Sequence, residues 1–156
     1  MKLFLIAVGQ RIPTWAEAGY MEYAKRFPPE CRLELKTVKA EPRQGGKTAM
    51  QLMKAEAQRI EALIAKESYR VILDEKGTQR NTPELAERLE VWLGGGRDIS
   101  LIVGGADGLD DEFKKSADET LKLSSLTLPH ALVRVVMAEA LYRAWTLLNH
   151  HPYHRE

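Results

Sequence analysis

The side chains best suited to chemistry lie together at the carboxyl terminus. Residues 150–156, called the tail below, contain three histidines, a tyrosine and an arginine but neither glycine nor serine. Terminal segments are usually frayed and featureless. This one instead carries imidazoles that can exchange a proton near neutral pH and an aromatic ring on which a flat ligand can stack. We therefore expect the tail to be held over a functional site.

The segment before the tail, residues 131–149, predicts a helix that is apolar on nearly every face. Its ionisable residues are Arg134, Glu139 and Arg143, and charges are rarely buried unless they are paired or functional. Glu139 and Arg143 lie four residues apart, so an ion pair on one helix face is the alternative to a chemical role. A small chain has little with which to cover this helix, so we expect part of it to pack against a second copy. Complete burial within one chain is the alternative.

The composition narrows the class of protein. A length of 156 residues, 44% hydrophobic and 29% charged, fits one globular domain with a real core, and we expect a single domain over residues 1–156. The lone Cys31 cannot form an intrachain disulfide, which predicts a cytoplasmic protein. The apolar run at residues 3–8 is too short for a signal peptide or a membrane span. Because the net charge is only +1, an RNA partner would require a local patch of positive charge.

Apolar runs alternate with amphipathic stretches along the chain, which predicts an α/β fold with a mainly parallel sheet flanked by helices. The first helix is expected to bury Trp15, Gly19, Tyr23 and Phe27, which recur at fourfold spacing. The predicted strands are residues 3–8, 33–38, 69–73, 99–103 and 121–124, and the helices before the last one are residues 14–27, 48–67, 83–93 and 110–116.

Ligands of open α/β sheets bind beyond the carboxyl ends of the strands. The loops at residues 73–77, 104–108 and 124–130 are therefore candidate binding segments. The glycine cluster at residues 104–108 does not match GxGxxG, and the chain lacks GxxxxGK[ST], so dinucleotide-binding domains and P-loop NTPases are disfavoured. Because the glycines of the cluster at residues 104–108 have no side chains, a flat ligand can approach their backbone closely.

Metal binding, serine hydrolysis and phosphate contact are three further candidate functions. The tail histidines could ligate zinc, but the single cysteine is distant and no HExxH is present, so we predict no metal. Ser124 and Ser125 near His130 would permit a serine hydrolase, but the GxSxG elbow is missing. The loop at residues 39–47 is either a solvated loop or a contact to phosphate, and its cations are Lys39, Arg43 and Lys47.

The string LSSLTLPHALVRVVMAEALYRAW at residues 123–145, followed by NHHPYHRE to the end, closely resembles the RlmH family. These are small SPOUT-class methyltransferases of bacterial large-subunit ribosomal RNA. The resemblance extends to MKLFLIAVGQ at the amino terminus, to Phe27-Pro28, to the glycine-rich end of the fourth strand and to the total length. Ala106-Asp107 departs from the Pro-Glu expected after Gly105, although Gly104 is retained.

The resemblance implies a homodimeric α/β fold in which the carboxyl-terminal segment threads a loop to form a deep trefoil knot, a rare topology. It also implies S-adenosylmethionine as the methyl donor, bound between the loops that follow three strands. By position, the cofactor-binding residues are Leu73, Gly104, Leu123, Ser124, Ser125, Leu126, Thr127 and Leu128.

The implied reaction is methylation of N3 of a pseudouridine in a hairpin loop of 23S ribosomal RNA on the assembled ribosome. The residues assigned to it are Tyr153, to stack on or hydrogen bond the base, and His154, to accept or relay the N3 proton. Arg143 and Arg155 would stabilise the base anion or hold phosphates. Weaker candidates are Glu139, to orient Arg143, and His130, to brace the cofactor loop.

The resemblance further implies that the tail of one subunit completes the pocket of the other. Because a small, nearly neutral protein has little surface to grip RNA, we expect isolated RNA to be a poor substrate. The alternatives are a knotted RNA- or ribosome-binding module without turnover, and a SPOUT enzyme with another RNA target. The second alternative would differ in the tail and in the loop at residues 39–47.

Overall fold

The computed structural model describes residues 1–43 and 45–155. Its strands are β1 (Lys2–Val8), β2 (Arg32–Val38), β3 (Tyr69–Gln79), β4 (Ile99–Val103) and β5 (Glu119–Lys122). Its helices are α1 (Thr14–Ala24), α2 (Ala49–Leu63), α3 (Thr82–Gly94), α4 (Asp111–Lys114) and α5 (His130–Leu148), with short 3-10 turns at Pro29–Cys31 and Pro152–Arg155.

The strands form one five-stranded sheet in the order β2-β1-β4-β3-β5, and every paired strand is parallel. The predicted α/β fold class is thereby confirmed. The central strand β4 is buried along its whole length, as expected for a mainly apolar strand in the middle of a parallel sheet. The edge strand β2 is largely half-buried, with only Leu33 and Val38 fully buried.

Helices cover both faces of this sheet. On one face α1, α3 and α5 pack over a core that includes Leu3, Leu89 and Leu141. On the other face α2 and α4 pack over a smaller core that includes Ile6 and Ile60. Helix α5 thus lies between α1 and α3, yet much of its apolar surface is only half-buried. None of the helices in residues 1–43 and 45–155 combines the length and the apolar character needed to cross a membrane.

The predicted buried face of α1 is wrong at its start. Trp15 is 59% exposed, and the residues that α1 buries are Ala16 and Tyr20. A Cβ atom on Gly19 would lie 3.2 Å from a methyl of Val135 in α5. Gly19 therefore lies at the close contact between α1 and α5, whereas Trp15, in the first turn of α1, is exposed.

The structure also revises the third strand. Residues 74–77, predicted as a loop, lie within β3 as a bulge, because the pairing with β5 shifts between Leu73 and Thr78. A Cβ atom on Gly77 would lie 2.8 Å from the backbone carbon of Leu121, so only glycine fits there without a shift. Strand β5 begins and ends two residues before its predicted bounds, which leaves Leu123 and Ser124 in the loop that follows.

The tail folds back onto α5. His151 donates its backbone N–H to the carbonyl of Thr146 at 2.9 Å, and a 3-10 turn follows at Pro152–Arg155. Glu156, the last residue of the predicted tail, and Gln44 in the predicted loop at residues 39–47 lie outside the described residues.

Candidate functional site

A cleft of about 880 Å³ opens at the carboxyl edge of the sheet. Three segments line it: the bulge of β3, the glycine loop at residues 104–108 after β4, and residues 122–130 after β5. The structure brings all of the predicted cofactor-binding residues to this one cleft, namely Leu73, Gly104, Leu123, Ser124, Ser125, Leu126, Thr127 and Leu128. His130 lines it as well.

The glycine loop is a tight turn whose backbone faces the cleft. Gly108 has a φ of +84°, which favours glycine, and donates its N–H to the Gly105 carbonyl at 3.0 Å. A Cβ atom on Gly104 would lie 2.8 Å from the backbone carbon of Gly108. Ala106 and Asp107 occupy the apex, so their departure from Pro-Glu leaves the turn itself intact.

The cleft joins apolar walls to a charged rim. Its walls include Leu73, Val103 and Leu109, and on the rim Lys114 pairs with Asp74 at 3.4 Å. A pocket of this volume and mixed lining suits a ligand the size of a nucleoside. It could hold such a ligand largely through backbone groups.

The two serines of the cleft are engaged in local structure. Ser124 Oγ accepts the backbone N–H of Leu126 at 2.9 Å, and Ser125 Oγ donates to Gln79 Oε1 at 3.1 Å. Within residues 1–43 and 45–155 neither serine hydrogen bonds His130. The serine-hydrolase alternative therefore has no geometric support.

A buried arginine ties α5 to the end of β1 beside the cleft. The Arg134 side chain is 2% exposed and donates to the carbonyls of Val8, at 3.1 Å, and of Gly9. Burial lowers its pKa. Burial and the Arg134 charge also hold the pKa of His130 below its usual value, so the His130 imidazole is neutral at neutral pH.

The predicted catalytic residues form a second group, the tail cluster, made of Glu139, Arg143, Tyr153, His154 and Arg155. One carboxylate oxygen of Glu139 accepts the Tyr153 hydroxyl at 3.1 Å and Arg143 Nε at 2.8 Å. The Arg143 guanidinium lies 4.9 Å from the centre of the Tyr153 ring. The ion pair predicted between Glu139 and Arg143 is therefore present, and Tyr153 joins it.

The electrostatics of the tail cluster favour a neutral phenol beside a charged guanidinium. Burial, with hydrogen bonds to Tyr23 and Glu139, raises the pKa of Tyr153. The hydrogen bond with Glu139 raises the pKa of Arg143. His154 Nδ1 is buried and has no hydrogen-bond partner in the part of the chain that the structure describes. Arg155 is exposed.

The cleft and the tail cluster lie at opposite ends of α5. A rise of about 1.5 Å per residue separates His130 from Arg143 by about 20 Å along the helix. The structure therefore brings His130 to the predicted cofactor-binding residues, and it brings Glu139 and Tyr153 to Arg143, with His154 and Arg155 following Tyr153 in the 3-10 turn. It does not bring the two groups together within one subunit.

Several residues of both groups were not singled out from the sequence. Around the tail, Arg26 and the rings of Tyr142 and His151 contact Tyr153 or its neighbours. The sequence shows that these residues are aromatic or cationic, but no regular spacing predicts that the segment around Arg26 contacts the tail. At the cleft, Asp74 was not named individually but lies in the candidate segment at residues 73–77, whereas Lys114 ends α4 and no sequence signal pointed to it.

The cations of the loop at residues 39–47 are partly engaged. Arg43 pairs with Asp107 of the glycine loop, and Lys47 pairs with Glu41 at 2.6 Å. Phosphate contact by this loop stays a prediction. Among residues 1–43 and 45–155 no group of three histidine, cysteine or acidic side chains could hold a metal ion.

The all-parallel sheet with a cleft at its carboxyl edge places the chain among open α/β proteins, a class whose members bind ligands beyond the strand ends. Residues 1–154 match the family model described as "Predicted SPOUT methyltransferase", and the chain belongs to this family.

Relatives in other bacteria match along the whole chain. It is 62% identical to a protein of Leptothrix cholodnii and 60% identical to one of Methylibium petroleiphilum, in both cases over 100% of each chain. It is 57% identical to a protein of Bordetella petrii over 99% of each chain. All three are named "Ribosomal RNA large subunit methyltransferase H".

A solved structure supports the fold. The structure of a probable methylase family protein from Haemophilus influenzae Rd KW20 aligns with a TM-score of 0.55 and 16% sequence identity. The alignment covers 97% of this chain and 68% of that one.

Proposed function

We propose that this chain transfers a methyl group from S-adenosylmethionine to N3 of a pseudouridine in 23S ribosomal RNA, acting on the assembled ribosome. The observation that carries the proposal is its 62% identity, over the full length, to a protein named ribosomal RNA large subunit methyltransferase H. The convergence of the family-matching segments on one cleft supports it. A ribosomal substrate agrees with the cytoplasmic location predicted from the single cysteine.

The cleft fits the proposed cofactor. Its volume of about 880 Å³ lies in the usual range of small-ligand pockets. Leu73, Gly104 and residues 123–128 would hold the cofactor, with backbone groups available to read its base. When bound, S-adenosylmethionine supplies an electrophilic methyl group.

On the side of the RNA, the base must lose the N3 proton to become a nucleophile. His154, whose Nδ1 has no partner among the described residues, is the proposed acceptor or relay of that proton. Tyr153 stacks on or hydrogen bonds the base, and Arg143 and Arg155 stabilise its anion or hold phosphates. Glu139 orients Tyr153 and Arg143 through the carboxylate oxygen that binds both.

A homodimer would unite the two groups of residues. Because they lie about 20 Å apart along α5, a second copy packed in the opposite sense across this helix would carry its tail to the cleft. The half-buried apolar side chains of α5 and the exposed Trp15 are suitable for such contact. His130 would brace the cofactor loop at the start of the helix. The proposed trefoil knot would hold α5 in place for both roles.

The proposal is tested by methyl transfer from labelled S-adenosylmethionine to ribosomes that lack the modification. Full-length protein is compared with a variant truncated after Asn149, and cofactor binding is measured for both. We expect transfer by the full chain alone, with cofactor binding by both proteins. Cofactor binding without transfer by the full chain would instead identify a binding module, and equal transfer by the truncated chain would exclude the tail from the chemistry.

Naked 23S RNA serves as the second substrate in the same assay. We expect much slower transfer to it, because the net charge of +1 leaves little electrostatic attraction to RNA. Transfer to naked RNA at the ribosomal rate would refute the assembled ribosome as the substrate. Transfer to transfer RNA instead would assign the chain to another target.

A further inference from the structure

Arg26 contacts three tyrosine rings from three different elements. Its guanidinium carbon lies 5.5 Å from the ring centre of Tyr23 in α1, 5.7 Å from that of Tyr142 in α5, and 5.7 Å from that of Tyr153 in the tail. Cation–π contact is favourable within about 6 Å of a ring centre. Arg26 therefore links the tail to both helices on which it rests.

The surroundings of Arg26 hold its charge in this position. Glu22, one turn earlier, accepts a hydrogen bond from its guanidinium at 2.6 Å. The rings of Tyr142 and Tyr153 lie 4.9 Å apart, so the cation meets a preformed aromatic surface. The hydrogen bond with Glu22 raises the pKa of Arg26.

Tyr153 is thus held at two points. Its hydroxyl donates to Glu139 while its ring contacts the guanidinium groups of Arg26 and Arg143. Glu139 and Arg143 both belong to α5, so the first fixes the hydroxyl of Tyr153 and the second its ring relative to that helix. Arg26 supplies a contact from the end of α1 and can define the direction in which the 3-10 turn leaves α5.

We propose that Arg26 is a positioning residue for the tail, which orients the Tyr153 ring and, through it, the turn that carries His154 and Arg155. This inference rests on the proposed function, because it assigns Arg26 to the same methyl transfer. Neither Arg26 nor the three tyrosines that it contacts line the cleft. We therefore expect Arg26 to affect the handling of the RNA base and not the binding of the cofactor.

Arginine is the residue type suited to this position. Its planar guanidinium can stack on rings while donating to Glu22, whereas the compact ammonium of lysine cannot do both with the same geometry. The neighbouring Lys25 provides a matched control. It pairs with the same Glu22 at 3.1 Å but makes no ring contact within the described residues.

The experiment compares wild-type protein with Arg26→Ala, Arg26→Lys and Lys25→Ala. We measure kcat and KM for ribosomes, cofactor affinity by calorimetry, and the melting temperature. We expect Arg26→Ala to lower kcat/KM for ribosomes about tenfold, as loss of these cation–π contacts implies, with cofactor affinity unchanged. Arg26→Lys should recover part of the loss, and Lys25→Ala should match wild type.

A readout of the tail itself accompanies the kinetics. In protein with 13C-labelled tyrosine rings, the Tyr153 signal is assigned by its absence from Tyr153→Phe. Arg26→Ala should shift this signal, and Lys25→Ala should leave it in place. A general loss of stability would shift many tyrosine signals and weaken cofactor binding. Loss of the positioning role alone would shift the Tyr153 signal and leave cofactor affinity unchanged.

The outcomes separate the two proposals. If wild-type protein transfers methyl groups but Arg26→Ala matches Lys25→Ala in kinetics and in the Tyr153 signal, the positioning role is wrong and the proposed function stands. If wild-type protein transfers none, the proposed function fails and the role of Arg26 falls with it. If Arg26→Ala fails to fold, Arg26→Lys provides the test. Wild-type kinetics together with an unshifted Tyr153 signal in Arg26→Lys would overturn the inference.

Discussion

The cleft and the tail cluster are built in different ways. The cleft is formed by loops at the ends of strands, where glycines permit tight turns and expose backbone beside apolar walls. The tail cluster is formed by side chains of α5 and the final turn, joined by the carboxylate of Glu139 and the ring of Tyr153. A backbone-lined cleft suits the binding of an invariant cofactor, and a side-chain cluster suits the handling of protons and charge. The two should therefore fail separately when they are mutated.

The largest expected effect is on turnover, from Arg143. Replacement of Arg143 by alanine should lower kcat about 100-fold or more, the usual cost of removing a group that stabilises developing negative charge. Cofactor affinity should remain unchanged, because Arg143 does not line the cleft and is assigned to the RNA base. Single-turnover methyl transfer and calorimetry provide the two measurements. A parallel loss of cofactor affinity would contradict the division of the molecule into two sites.

For the glycine loop, the expected defect is a loss of cofactor affinity. In Gly104→Ala the new Cβ atom would lie 2.8 Å from the Gly108 backbone, so the loop must shift. Overpacking of this kind costs about 1–3 kcal/mol, and we expect a loss of cofactor affinity of about tenfold to 100-fold. Gly94→Ala is the control, because nothing lies within 4 Å of a Cβ atom there. Equal cofactor binding by the two variants would show that the loop tolerates the side chain.

If the chain forms the proposed homodimer, mixed dimers can test whether the two sites join across subunits. One chain carries Gly104→Ala and the other is truncated after Asn149, and the assay uses a cofactor concentration too low to load the Gly104→Ala cleft. If the tail serves the partner's cleft, random mixing should restore about a quarter of wild-type activity, since half of the dimers contain one intact pair. Activity that stays at background would show that each tail serves its own cleft.

The smallest effect on activity is expected at Glu119, which belongs to neither site. Its side chain is 9% exposed and accepts hydrogen bonds from Arg88 at 2.7 Å, Trp92 at 3.1 Å and Tyr69 at 3.0 Å. Burial raises the pKa of Glu119, but these hydrogen bonds outweigh burial and leave the pKa below its usual value.

Because the pKa of Glu119 is lower in the folded state, its ionised form stabilises the fold above the unfolded pKa, and this stability is lost as the pH falls through the folded pKa. Glu119→Gln should therefore reduce the free energy of unfolding by about 1–3 kcal/mol at pH 7. The difference from wild type should shrink below about pH 4. Urea unfolding at several pH values measures it. A difference that is constant with pH would rule out this ionisation as its cause.

Much of the architecture could be predicted because it depends on local apolar patterning. The buried strand β1 is a continuous apolar run after Lys2, β4 is apolar except for Ser100, and the alternation of strands with helices predicts a parallel sheet with its loops at one edge. The three candidate binding loops were predictable for the same reason, because they follow strands, whereas the individual cofactor-binding residues were implied by the family resemblance and stay a prediction. The family resemblance added the identity of the ligand and the roles in the tail.

The sequence by itself determined the order of strands and helices and the fold class, while the members of both groups of residues were proposed from the resemblance to a family. The tertiary structure decided which faces meet. Trp15, predicted to be buried with Gly19, is exposed although Gly19 contacts Val135, and residues 74–77, predicted as a loop, form a bulge in which Gly77 packs against the backbone of Leu121. Likewise, only the packing of α1 against α5 brings Arg26 to Tyr153. Such contacts join residues far apart in the chain, and no local pattern encodes their distance or orientation.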